Sequence, residues 1–335
     1  MKGKPNFRLL FTAAAIFMLI IDSKTALSGA NDGIRLCLYS IIPSLFPFFF
    51  LSMLLTSSLW GINSGVLRPI GRMLRISPGS EPMVLIGLLG GYPVGAQCIA
   101  QACESGQIAS EDGERMLAFC NNCGPAFIFG ILSRFFEEPW ILWALWGIHV
   151  VSAMLTGMTI PGKSTHCAIV HEQKLSISMA LRRSIAAMAQ VCGWVILFRI
   201  LIATIERWVG FLIPNTAKAA IWGLLELTNG CFSLNDVTDT GLRFMLCSAM
   251  LSLGGLCVAM QTVGVVANRL SLRHYFPGKA LQSLYATGLS AVVSSLAFDG
   301  NYLITTGIVS ATIVPILIFF HIFEKKSSIL QPIRV

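Results

Sequence analysis

Residues 83–97 read MVLIGLLGGYPVGAQ. The apolar piece at 83–90 is too short to cross a bilayer, which takes about 20 apolar residues. It runs directly into Gly90, Gly91, Pro93 and Gly95, residues that stop or turn a helix. A short apolar arm ending in such a tip reads as half of a re-entrant hairpin. A second short piece, 217–227, leads into WGLLELTNG at 222–230. Whether these two pieces cross the membrane decides the layout of the whole chain.

The rest of the sequence establishes that there is a membrane to cross. Over 335 residues 55% are hydrophobic and only 12% are charged, with a mean hydropathy of +0.73. A soluble domain carries about 25% charged residues, so a soluble enzyme is excluded. Spans read near 7–26, 34–59, 117–133, 140–161, 184–205, 242–267, 281–297 and 302–323. The basic residues test this layout, because Lys and Arg collect in cytoplasmic loops. Lys2, Lys4 and Arg8 mark the start of the first span, and Arg68, Arg72 and Arg75 follow the second. Lys163, Lys174, Arg182 and Arg183 follow the fourth, Arg269, Arg273 and Lys279 the sixth, and Lys325 and Lys326 the eighth. All five clusters fall on one side only if neither short piece crosses. Asp236, Asp239 and Asp299 then lie on the other side.

The net charge of +8 is this loop bias. No basic run is interleaved with aromatics, which excludes nucleic acid as a partner. Most of the ten cysteines sit inside apolar runs, so a disulfide framework is not expected. The basic–apolar start resembles a signal peptide but is read as an uncleaved first helix.

The two halves match in pattern. Each has a span, a linker, a short apolar arm, a polar stretch and then a broken helix. Gly87-Leu88-Leu89 corresponds to Gly223-Leu224-Leu225. Ser110, a candidate N-cap, lies 14 residues before Gly124 in the NNCGP break, and Thr240 lies 14 before Gly254. From Gly87 to Ser110 is 23 residues but from Gly223 to Thr240 only 17, so the second hairpin is expected to have the shorter return arm. On the charge layout the first hairpin enters from the cytoplasm and the second from outside. The expected fold is all-α and polytopic, with about eight transmembrane helices and two re-entrant helical hairpins in an inverted-topology repeat. Its parts are a first helix (1–30), a repeat (31–162, hairpin 81–106), a cytoplasmic loop (163–183), a second repeat (184–298, hairpin 209–239), and a last helix with its tail (299–335).

The stretch GLLGGYPVGAQ, an acidic helix start and LAFCNNCGPAFIFG at 117–130 together resemble the YlbJ-like sporulation integral membrane proteins. These are grouped with the nucleoside-recognition (Gate) domain family, which also supplies the membrane part of bacterial ferrous-iron transporters. The strongest segment is 86–130; Glu226, Thr228, Gly230 and GGLCVAMQ at 254–261 extend a looser match over roughly 35–270. The resemblance implies a two-repeat architecture in a bacterial inner membrane and supplies no substrate. Cys120 and Cys123 depart from it, standing where Ser or Thr would be expected beside Asn121-Asn122.

Polar groups at membrane depth face a cavity or a partner. Gly91, Tyr92, Pro93 and Gly95 form the first tip, where the backbone could approach a solute or simply pack tightly. Gln97 and Gln101 lie one turn apart on the return arm. Asn121 and Asn122 could either satisfy the broken helix or hold a polar solute; Gln261 with Ser252 poses the same alternative at the second break. Glu226, with Thr228 and Asn229 behind it, stands at the second tip. It could bind a cation, carry a coupling proton or pair with a buried arginine, for which Arg199 is the candidate unless it snorkels outward. His149 reads as a packing residue rather than a proton relay.

CNNC at 120–123 lacks the further ligands zinc needs, and His166, Cys167 and His171 read as a solvated loop cluster. There is no phosphate-binding GxxxxGK[ST] loop and no protease pair, so no enzyme, metal or cofactor is expected. The expected function is secondary transport of a small polar solute, nucleoside-like, another polar metabolite or an ion, coupled to an ion or proton. Both termini are expected in the cytoplasm, and a homo-oligomer is compatible with this. The alternative is a non-transporting membrane component of spore or envelope assembly; a passive channel is a third possibility.

Overall fold

The structure, a computed structural model, describes residues 7–59, 65–162, 176–266, 269–298, 302 and 307. Among the described residues every regular element is a helix. The first half contains α1 (Phe7–Ile21), α2 (Ser23–Leu36) and α3 (Ile42–Leu59), the last two joined through a π-helical turn. It continues with α4 (Arg68–Leu74), the hairpin α5 (Glu81–Leu89) and α6 (Val94–Glu104), the broken helix α7 (Ser110–Cys120) and α8 (Pro125–Gly130), and α9 (Pro139–Thr159). The second half contains α10 (Ile177–Val209), the hairpin α11 (Asn215–Leu225) and α12 (Leu227–Ser233), the broken helix α13 (Thr240–Leu253) and α14 (Gly255–Val266), and α15 (Tyr275–Ala297).

Among the described residues six stretches are long and apolar enough to cross a membrane: Ser23–Leu55, Ser110–Arg134, Pro139–Thr159, Ile177–Leu212, Thr240–Val266 and Tyr275–Ala297. Leu197 and Leu201 of α10 and Val292 and Leu296 of α15 point outward, a surface suited to lipid rather than water. The chain is therefore a polytopic helical membrane protein. Eight spans were expected. The first is a helix of 15 residues, shorter than the other six, and the eighth, apart from residues 302 and 307, lies outside the described residues. Most of the 163–183 loop also lies outside them, with His166, Cys167 and His171.

Two boundaries differ from expectation for a physical reason. Residues 27–33, left between the first two expected spans, are helical: SKTALSGANDGIRL at 23–36 forms α2. Its Gly29 and Gly33 let it lie against α10: a Cβ at Gly29 would come within 2.9 Å of the Ala203 Cβ, and one at Gly33 within 3.0 Å of the Ile196 Cα. Asp22 caps its start by accepting from the Thr25 N–H at 3.4 Å. The seventh span begins at Tyr275, not 281, which carries Lys279 into the helix and away from the basic loop cluster assigned above. The caps of α7 and α13 are Ala109 and Asp239, one residue before Ser110 and Thr240.

Corresponding helices of the two halves run in opposite directions. The α2–α3 rod is antiparallel to α10, with Gly29 beside Ala203 and the Cys37 thiol 3.8 Å from the Cys192 carbonyl. α9 is antiparallel to α15, with Trp140 stacked on Phe298 and Gly278 beside Ile160. Within each half the broken helix is antiparallel to the last one. Arg115 of α7 reaches the Ile160 carbonyl and Cys123 the His149 ring, while Ser283 of α15 donates to the Ala249 carbonyl and Ser294 to that of Gly241. It follows that α7 and α13 also oppose each other.

Arg115 is buried and does not act as a loop charge. It donates to the carbonyls of Leu74, Arg75, Gly157 and Ile160, which the ends of α4 and α9 leave unpaired.

Candidate functional site

Each hairpin is seated on the broken helix of its own half. The first arm runs alongside it and the tip stops at the break. A Cβ at Gly87 would fall 1.8 Å from the Cys120 carbonyl oxygen, and one at Gly124 2.9 Å from the Gly91 Cα. In the second half a Cβ at Gly223 would fall 1.9 Å from the Met250 sulfur, and one at Gly255 2.6 Å from the Gly223 carbonyl oxygen. The second break consists of two adjacent glycines with positive φ, +80° and +76°, a backbone other residues adopt only under strain. As the spacing anticipates, the second return arm is shorter, seven residues against eleven.

The tips also cross between halves. Tyr92, at the first tip, donates its hydroxyl to the Leu251 carbonyl at 3.2 Å, just before the second break. His149 of α9 bridges both breaks. Its Nε2 accepts from the Cys123 N–H at 3.1 Å, which leaves Nδ1 to carry the proton facing Ser252 Oγ at 3.2 Å. It is thus a neutral connector as well as a packing residue.

Between the two tips and the first break lies a cavity of about 50 Å³. Gly91, Tyr92, Cys123, Gly124, Glu226, Thr228 and Gln261 line it, with apolar residues of α3, α10 and α14. Glu226 is 2% exposed and caps α12. Its carboxylate accepts from the Thr228 N–H at 3.0 Å and from both the N–H and the Nδ2 of Asn229 at 2.7 Å. Gln261 donates to Cys257 Sγ at 3.4 Å.

Arg199 is not the partner of Glu226. It pairs with Asp32 of α2 at 3.1 Å, and both side chains are partly exposed. The pair stands in a separate open funnel of about 350 Å³ that also contains Glu206, Lys218, Trp222, Asn229 and Asp236. Asn229 therefore faces the funnel while holding Glu226, which faces the smaller cavity. These two residues form the wall between the spaces.

The remaining expected residues separate. Pro93 and Gly95 are buried outside the cavity lining; a Cβ at Gly95 would strike the Cys120 carbonyl at 2.1 Å, so this glycine serves hairpin packing. Gln97 is half-buried away from the cavity, and Gln101 accepts from Arg183 at 3.2 Å. Asn121 and Asn122 are fully buried and satisfy the break. Asn121 accepts from the Ala96 N–H at 3.3 Å and donates to Thr262 at 2.9 Å; Asn122 donates to the Phe119 carbonyl at 2.6 Å.

Sequence reasoning missed Lys279. Its ammonium, 2% exposed, donates to the Asn121 carbonyl at 2.8 Å, Asn122 Oδ1 at 3.2 Å and Gln282 Oε1 at 2.6 Å. The available signal was a polar stripe at helical spacing, Lys279, Gln282, Ser283, Thr287 and Ser290, hidden by starting the seventh span at 281.

No family model and no solved structure matches the chain. The sporulation integral membrane protein YlbJ of Bacillus subtilis (strain 168) is 25% identical over 336 aligned positions, which cover 84% of this chain and 79% of that protein. With the motif at 86–130 and the helical membrane architecture, this makes the chain an integral membrane protein similar in sequence to YlbJ.

Proposed function

We propose that the chain is a secondary transporter that moves a small polar solute across a bacterial inner membrane by alternating access. The observation that carries this is that both hairpin tips and the first helix break line one small, mainly apolar cavity with Glu226 and Gln261 in its wall, and that an open funnel lies behind Asn229. Discontinuous helices meeting at an interface between oppositely directed repeats are the usual site of solute in such transporters. Backbone freed from helix hydrogen bonding is tolerated at membrane depth only where protein or a cavity surrounds it.

The hairpins are re-entrant in this proposal and enter from opposite faces. The opposed directions of the corresponding helices support that. Ion pairs stand at both bases, Arg269–Glu104 at 2.7 Å and Arg273–Glu114 at 3.5 Å at the first, Lys218–Glu206 and Arg199–Asp32 at the second. The first base is cytoplasmic, as are both termini. The cavity holds only a few waters, far below the roughly 300 Å³ of a pocket for an organic ligand. In this conformation the cavity is too small for a nucleoside-sized solute, which enters only after the Glu226–Asn229 wall moves.

The second reading, a sporulation membrane component that moves nothing, is favoured by the name of the relative. A two-stage experiment separates them. Purified protein is screened by thermal shift against nucleosides, nucleobases, organic acids and inorganic cations, and each stabilising compound is then tested for counterflow in proteoliposomes. Transport predicts saturable exchange of at least one compound, lost in Glu226→Gln and retained by Glu226→Asp. A scaffold exchanges none of them.

A further inference from the structure

The first helix break differs from the second in one respect: it is held by a charge. The second break unwinds little more than Gly254, whose N–H still reaches the Met250 carbonyl at 2.8 Å. The first opens four residues, 121–124, and frees the carbonyl of Asn121 at the C-terminal, electronegative end of α7. That carbonyl, Asn122 Oδ1 and Gln282 Oε1 form a cage of three oxygens around Lys279 Nζ. The ring of Tyr92 closes another side, with its centroid 5.3 Å from the ammonium. Among the described residues no carboxylate lies within ion-pair distance of Lys279.

The count is informative. An ammonium has three donors and the cage has three acceptors, so the protonated side chain is satisfied in full. A neutral amide could supply donors without placing a charge at this depth. Unwound carbonyls with a half-helix C-terminus are what binds a free monovalent cation in ion-coupled transporters. We propose that the first helix break is a monovalent-cation site which this chain fills with its own Lys279 ammonium, locking α15 to α7 without a dissociable ion. The consequence for coupling, that no Na⁺ is drawn on at this break, rests on the transport proposal; the site itself does not.

Thermal unfolding of the purified full-length protein tests the site without any transport step, so a negative result bears on the site and not on transport. Tm is read in NaCl, methylammonium chloride and choline chloride at equal ionic strength. The wild-type protein should give one Tm in all three. Lys279→Ala, which vacates the cage, should lose stability in choline and regain most of it in methylammonium or Na⁺. Should Lys279→Ala yield monodisperse protein only when prepared in methylammonium or NaCl, that is the same rescue. Lys279→Gln, neutral and of similar reach, should stay destabilised in every salt. A Lys279→Ala protein indifferent to the cation, or one that fails to fold in all three salts, overturns the proposal, as does a Lys279→Gln protein with wild-type Tm.

Discussion

Three N–H groups converge on the Glu226 carboxylate, two of them on Oε2. Glutamine offers one acceptor oxygen in place of two, so in Glu226→Gln at least one buried N–H loses its partner, at a cost of about 1–3 kcal/mol. The substitution is therefore destabilising for a local reason, whatever the residue does in transport. Glu226→Asp keeps a preferred capping carboxylate and should stay closer to wild type in a thermal unfolding assay. Arg199 makes a contrasting prediction. Its pair with Asp32 is open to the funnel, and such pairs contribute about 1 kcal/mol or less. Arg199→Met should therefore be mild, and a double-mutant cycle with Glu226→Gln should show no coupling. A coupling of about 3 kcal/mol, the scale for breaking a buried pair, would restore the Arg199–Glu226 pairing.

At the scale of elements, both hairpins rest on glycines, but the two contacts differ in hardness. A methyl at Gly87 meets a backbone carbonyl, whereas one at Gly223 meets the Met250 side chain, which can turn aside. Gly87→Ala should thus cost about 3 kcal/mol or more and Gly223→Ala distinctly less. Gly193, in the interior of α10 with open space around it, is the control: Gly193→Ala should stabilise by up to about 1 kcal/mol. Equal losses at Gly87 and Gly223 in chemical denaturation would contradict this packing. The elements themselves were legible where local chemistry decides them. Short apolar arms before Gly90-Gly91 and Glu226, and the breaks at NNCGP and Gly254-Gly255, are all punctuated in the sequence. What the sequence hid was set by distant partners. α2 is helical because Gly29 and Gly33 meet α10, some 165 residues away. Lys279 is buried because the first break, more than 150 residues earlier, presents oxygens to it. Arg199 was paired by depth alone, and the structure offered it a nearer acid.

Over the whole molecule, the account depends on the two hairpins approaching one cavity from opposite sides of the membrane. The opposed directions of the corresponding helices support that arrangement. The direct measurement is sidedness of labelling with a membrane-impermeant maleimide. One reporter cysteine replaces Glu111, exposed at the start of α7 beside the base of the first hairpin; the other replaces Asn235, exposed just after α12. Each is placed in a protein whose accessible native cysteines have been removed. In intact cells Asn235→Cys should be labelled from outside, and Glu111→Cys only after the membrane is permeabilised. Labelling of both from the same side would contradict the opposed hairpins, and with them the alternating-access proposal.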